Sequence, residues 1–200
     1  MTTKTIPEVF IIESLAFKDE RRNHQEGEVI ARMLALSGKA STRYYYLRTC
    51  QELREVIERF GRSRYRYLHI SCHANLDGMA TTLDEVTYEA LGEMLAPHLN
   101  GRRVFVSGCE MACDRLAEAL MKGSGCYSLV GPAGEIAFGD AAAIWIAFYR
   151  LMFKFDRQRM KRGRLGAVIG QLSVLFNEKF NFYRSDPAAS AGYERFKLPT

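Results

Sequence analysis

No run of apolar residues in this sequence is long enough to cross a bilayer. The longest, Ala141 to Tyr149, stops at Arg150, far short of the ~20 residues a membrane helix needs. The opening stretch MTTKTIPEVFIIESL also lacks the apolar region and small-residue cleavage site of a secretory signal. These two absences make the cytosol the expected compartment and leave no membrane partner. Internal repeats, low-complexity segments and any dividing linker are missing as well. One domain over 1–200 is therefore expected, with a core of about 7–176 and an irregular tail of 177–200. The net charge of +5 is mildly basic. With no Gly-rich phosphate loop, recognition helix or aromatic single-strand platform beside it, nucleic acid is not an expected partner.

What is present is an ordinary globular composition, 48% apolar and 26% charged, with short strand-like runs alternating with helix-like ones. Val9–Ser14, Tyr44–Leu47, Tyr65–Cys72, Arg103–Ser107 and Tyr127–Val130 read as strands. Gly27–Ser37, Gln51–Phe60 (stopped by Gly61), a helix capped by Asp84 and running to His98, Asp114–Met121, Ala141–Phe155 and Leu165–Phe176 read as helices. Such alternation predicts an α/β fold with a mostly parallel sheet and helices on both faces. The five cysteines, Cys50, Cys72, Cys109, Cys113 and Cys126, are an odd number in a chain without an export signal. They are expected to be reduced, each either core filler or chemically employed.

In open parallel sheets, functional groups gather beyond the carboxyl ends of the strands. Two strands end in reactive groups here: the third in Ser71-Cys72-His73 and the fourth in Ser107-Gly108-Cys109-Glu110. If these strands are neighbours, His73 and Cys109 meet across one edge. An imidazole near neutrality can then withdraw the thiol proton, and the N-terminus of helix Asp114–Met121 would favour the thiolate. A cysteine at a buried strand end is more often a small hydrophobe, and a lone histidine near a loop is usually structural. The pair stands apart because each member closes its own strand.

LHISCHANLDG followed by RRVFVSGCEMA resembles the His and Cys signatures of the caspase-like cysteine peptidases, most nearly the bacterial CHAT branch. YSLVGPAGEIAFGDAAAIWIAFYRLMF is similar to that branch's fifth strand, substrate-side loop and long helix. The resemblance runs from about Pro7 to Phe155 and implies a three-layer caspase-like fold. It also implies a cofactor-free cysteine endopeptidase acting on a protein substrate, with His73 as base and Cys109 as nucleophile. The oxyanion hole would be the backbone N–H groups of Cys109 and Ala74. Ala74 stands where relatives usually carry glycine, and the Thr-Gly that often follows Cys-Glu is replaced by Met111-Ala112. In relatives that cut after Arg or Lys, an acid stands two positions before the nucleophile. Ser107 holds that place, so no preference for Arg or Lys is expected unless Asp77, Glu135 or Asp140 restores the charge. Arg21 and Arg22 occupy a region that helps hold acidic substrate side chains in animal caspases. The branch commonly supplies effectors of bacterial defence or signalling systems, which implies control by a separate regulatory or sensor protein.

Other readings remain open. A catalytically silent caspase-like module for protein interaction fits Ala74 and the missing Thr-Gly. A flavodoxin-like ligand-binding domain fits the alternation but lacks a phosphate loop. Zinc ligation by Cys72, His73, Cys109 and Cys113 is geometrically awkward, because Cys72 and His73 are adjacent. His24, His69 and His98 read as structural or exposed. Between Arg150 and Arg164, seven basic residues face one acid, Asp156. That segment is either a solvated helix end or a surface for an acidic partner.

Overall fold

Strands covered on both faces read as near-continuous apolar runs, and such runs fill the centre of the computed structural model, which describes residues 5–198. In chain order the elements are β1 (Ile6–Glu13), α1 (Phe17–Glu20), α2 (Glu26–Leu36), β2 (Arg43–Tyr46), α3 (Cys50–Arg62) and β3 (Tyr65–Ser71). A small excursion follows: β4 (His73–Ala74), β5 (Gly78–Ala80) and β6 (Glu85–Thr87). Then come α4 (Tyr88–Leu95), β7 (Arg103–Ser107), α5 (Asp114–Met121), β8 (Ser128–Pro132), α6 (Phe138–Phe155), α7 (Arg162–Phe176), β9 (Phe180–Ser185) and β10 (Tyr193–Phe196). Seven strands make one sheet in the order β10-β9-β8-β7-β3-β1-β2. The run from β8 to β2 is parallel, and β9 and β10 extend it antiparallel.

Alternation along each strand divides the core into two layers. Leu68 and Ile70 of β3 face α3, α4 and α5. Tyr67 of the same strand faces α2, α6 and α7. Helix α3 illustrates how local sequence serves this packing. Thr49 and Glu52 form a reciprocal capping box at its start, and Leu53, Val56, Ile57 and Phe60 make one buried stripe, each worth ~1.5–3 kcal/mol on burial.

Four sequence expectations are corrected. Gly61 lies inside α3 rather than ending it; a Cβ there would come within 2.4 Å of the His98 ring, so the glycine serves a close approach. Asp84 does not cap α4. Its carboxylate accepts from the Cys50 N–H at 2.7 Å, at the start of α3, while Thr87 caps α4. The three-stranded sheet β4-β5-β6 occupies the stretch expected to be loop and helix start. The tail after Asn177 is irregular only in part: 186–192 is turn, but β9 pairs with β8 over Phe180–Arg184 and so belongs to the core sheet.

Candidate active site

β3 and β7 are direct neighbours, and Ser71 lies opposite Ser107 in the register. His73 and Cys109 each follow two residues later, so both strand tips leave the sheet side by side and with the same parity. Between them, a Cβ on Gly108 would lie 2.8 Å from Ala74 Cβ and 3.0 Å from the Cys72 carbonyl. Only glycine lets the chains pass this closely. Both side chains then meet the entrance to α6. The Ile136 N–H points at Cys109 Sγ across 3.5 Å, and the His73 ring packs edge-on to Phe138 at 5.6 Å between centroids. The sulfur's partner is therefore the approach to α6 rather than the start of α5.

His73 is held by a residue the sequence reading did not single out. Its Nε2 lies 2.8 Å from Asp19 Oδ2. Asp19 is buried. Burial raises its carboxyl pKa, but the hydrogen bond and charge of His73 outweigh this and hold it below the ordinary value. An ionised carboxylate only accepts, so Nε2 carries a ring proton, and in the neutral form of the imidazole Nδ1 is the nitrogen with the lone pair. His24 Nδ1 stands 3.4 Å from the other Asp19 oxygen, and its ring packs on Phe138.

The backbone at the site offers free donors. Asn75 N–H bonds to the Gly78 carbonyl, so the next pair, Ala74 and Met79, is a non-hydrogen-bonded one and the Ala74 N–H points away from β5. Ala74 is not among the residues with positive φ, so the alanine is unstrained at this position. The Met111 N–H closes a turn onto the Gly108 carbonyl, which leaves the Cys109 N–H outside that bond. Glu110, at the turn's third position, has φ of 56°, a conformation that normally calls for glycine and costs a side chain ~1 kcal/mol or more.

Beneath the two tips lies a buried polar row. Glu13, Ser71 and Ser107 are register partners across β1, β3 and β7. Ser107 Oγ donates to Glu26 at 2.7 Å, Ser71 Oγ to Glu26 at 3.2 Å, and the Gly27 N–H to Glu13 at 2.8 Å. Burial, with Glu13 nearby, pushes Glu26 up to about 8, against the pull of the serine hydroxyls. His69 Nδ1 meets Tyr149 Oη at 3.0 Å, and burial lowers this imidazole to about 3. Its Nε2 lies 3.9 Å from Glu26, too far for a hydrogen bond, so two neutral groups face each other rather than an ion pair. His69 is thus structural, as expected, and fully buried.

The remaining sequence candidates scatter. Ser107 is buried against Glu26 rather than open. Asp77 lines a pocket of about 200 Å³ with His73 and Ala74, and its carboxylate is paired with Arg115 at 2.7 Å. Glu135 is exposed, one residue before the sulfur's partner, and Asp140 sits in the first turn of α6. Arg22 is exposed in the turn after α1. Cys72 and Cys126 are buried, and burial raises both thiol pKa values. Among the described residues no group of three or more His, Cys, Asp or Glu is arranged to hold a metal ion.

Solved structures share this architecture. Caspase-1 from Spodoptera frugiperda aligns with 100% of this chain and 87% of its own, at a TM-score of 0.55 and 12% identity. The fold is caspase-like. A protein described as a protease aligns at a TM-score of 0.50 and 14% identity, over 74% of this chain and 33% of its own. GSU0716 from Geobacter sulfurreducens aligns at 0.53 and 14%, over 91% and 96%. No family model and no curated protein matches the sequence. The caspase-like fold accounts for the central, mostly parallel sheet flanked by helices. No helix among the described residues is long and apolar enough to cross a membrane.

Proposed function

We propose that the chain is a cysteine endopeptidase of the caspase-like type, acting on a protein substrate without a cofactor. The observation that carries this is the delivery of His73 and Cys109 to one sheet edge by the Ser71–Ser107 register, with Asp19 orienting the imidazole. Cys109 Sγ attacks the scissile carbonyl carbon. His73 Nδ1 takes the thiol proton and returns it to the departing amine, and water then hydrolyses the thioester with His73 again as base. The oxyanion formed in each step is met by the N–H groups of Ala74 and Cys109. Placement in the CHAT branch, a role as a regulated effector in a bacterial defence or signalling system, and control by a sensor protein follow from the sequence resemblance and belong to the same proposal, as does a cytoplasmic location.

One observation favours the rival, a silent module for protein interaction. The sulfur's hydrogen-bond partner is Ile136 and the imidazole's is Asp19, with no bond between sulfur and ring. Apo sites of active enzymes commonly show such loose contacts. Limited iodoacetamide labelling, mapped by mass spectrometry, decides between the two. The active enzyme labels first at Cys109, and His73→Ala slows that labelling. Preferential labelling of Cys72 or Cys113, or an unchanged rate in His73→Ala, would overturn the proposal.

A further inference from the structure

The opposite end of the same strands holds a second concavity. A pocket of about 390 Å³ opens where β3 and β7 begin, lined by Arg66, Arg103, Arg159 and Lys161 with Tyr67 and Tyr127. No carboxylate is among the lining residues. The Met-Thr-Thr-Lys preceding Thr5 carries none either. Asp156, the one acid of the basic segment, accepts instead from the backbone N–H groups of Gln158 and Arg159.

Among the described residues Arg66 and Arg103 bond only to neutral partners, while Asp156, whose carboxyl pKa is lowered first by its backbone N–H bonds, also feels the charges of Lys161 and Arg159. Arg103 is 9% exposed, yet its guanidinium donates to the Ser128 hydroxyl at 2.8 Å and lies 5.6 Å from the centre of the Tyr127 ring. Arg66 donates to Thr5 Oγ1, the Thr5 carbonyl and the Gln158 carbonyl. A buried guanidinium without a counter-charge is costly, and burial lowers the Arg103 pKa accordingly. Arg159 and Lys161 are exposed at the rim. Helix α7 also starts here, with no side chain capping its first turn, so its free N–H groups add to the positive field. The tyrosines bring aromatic surface, and Tyr127 is 46% exposed at the mouth. The volume is that of a small-molecule site rather than a macromolecular groove.

From this constellation we infer that the pocket binds a small phosphorylated anion carrying at least two negative charges. Fork-shaped guanidinium donors suit phosphoryl oxygens, and the basic segment, which has no part in the candidate active site, acquires a task in Arg159 and Lys161. The inference does not depend on the peptidase reading.

Isothermal titration of the full chain with inorganic pyrophosphate, at fixed ionic strength, is the test. Saturable one-to-one binding is expected, weakened about tenfold or more in the double variant Arg159→Ser/Lys161→Ser and unchanged in Cys109→Ala. Both rim residues are exposed, so that variant retains its fold; Arg103→Gln, checked by circular dichroism, probes the buried cation. Adenosine diphosphate forms a second arm. Tighter binding than pyrophosphate assigns a nucleotide stacked on Tyr127, and equal binding assigns the phosphates alone. Absence of saturable binding at millimolar pyrophosphate overturns the inference. So does equal affinity in the double variant, or sulfate matching pyrophosphate, since either reports only a diffuse basic surface.

Discussion

At the scale of single residues, the site depends on an aspartate that sequence patterns did not reveal. Asp19 stands 54 positions from His73, in a four-residue helix after β1, and nothing in its local sequence marks it as a partner. His73 and Cys109 were legible because each ends a strand, a feature of local pattern alone. Asp19→Asn should slow peptide turnover roughly 10²-fold with the fold intact, because the imidazole loses the acceptor that fixes its tautomer. Turnover at the wild-type rate would remove Asp19 from the mechanism. Glu26 escaped notice for the same reason, being 81 positions from Ser107, and it refines the expectation about specificity. Ser107 is buried with its hydroxyl on Glu26, so a substrate side chain admitted as far as Ser107 would meet that acid behind it. With its pKa near 8, Glu26 is mostly protonated at pH 7 and offers no charge to a substrate guanidinium. Cleavage after Arg relative to cleavage after Leu should therefore be low at pH 7 and rise toward pH 9, and Glu26→Gln should abolish the rise. A strong Arg preference already present at pH 7 in both forms would contradict this.

At the scale of elements, long periodic segments were legible and short paired ones were not. Helices α2, α3 and α5 and strands β3 and β7 carry their periodicity over five or more residues. The strands β4, β5 and β6 are two or three residues each and are specified by their turns and partners, which a linear pattern does not display. β9 was hidden by the loop-like SDPAASAG that follows it and by Asn181 in its middle. That asparagine has work within the fold. Its side-chain amide donates to the Ala112 carbonyl at 2.7 Å, bracing the segment just after Cys109, and the Tyr183 hydroxyl donates to Asp114 at 2.7 Å. Deleting 177–200 would strip β8 of its neighbour and take the buried rings of Phe180, Phe182 and Tyr183 out of the core, each worth ~1.5–3 kcal/mol in burial, leaving partners such as Trp145 uncovered. An exposed edge beside an apolar face also invites aggregation. The truncated chain should therefore be insoluble or melt without cooperativity. If it melts within a few degrees of the full chain by differential scanning calorimetry, the tail is dispensable and β9 is only an accessory strand.

At the scale of the whole molecule, the buried acid and imidazole beneath the site tie global stability to pH. Folding moves Glu26 from an ordinary 4.5 to about 8 and His69 from 6.5 to about 3. Stability follows the difference in protons bound by the unfolded and folded states. Between pH 4.5 and 6.5 the folded pair holds one proton, on Glu26, and the unfolded pair also holds one, on His69. In that window the pair contributes no slope. Above 6.5 the unfolded chain releases its proton while the folded one keeps Glu26 protonated, so stability falls as pH rises toward 8. Below 4.5 the unfolded chain holds two protons against one, so stability falls again as pH drops toward 3. Each arm has a limiting slope of ~1.4 kcal/mol per pH unit. Glu26→Gln keeps the shape and the serine hydrogen bonds but cannot titrate, so it should flatten the alkaline arm and extend the acid arm up to pH 6.5, because nothing then offsets His69. His69→Phe should flatten the acid arm and extend the alkaline arm down to pH 4.5, since the apolar ring has no proton to gain and Glu26 then acts alone. Urea denaturation of the three proteins from pH 4 to 9 reads both arms. An alkaline arm equally steep in Glu26→Gln would mean that Glu26 does not hold the proton in the folded state and that another group sets the arm.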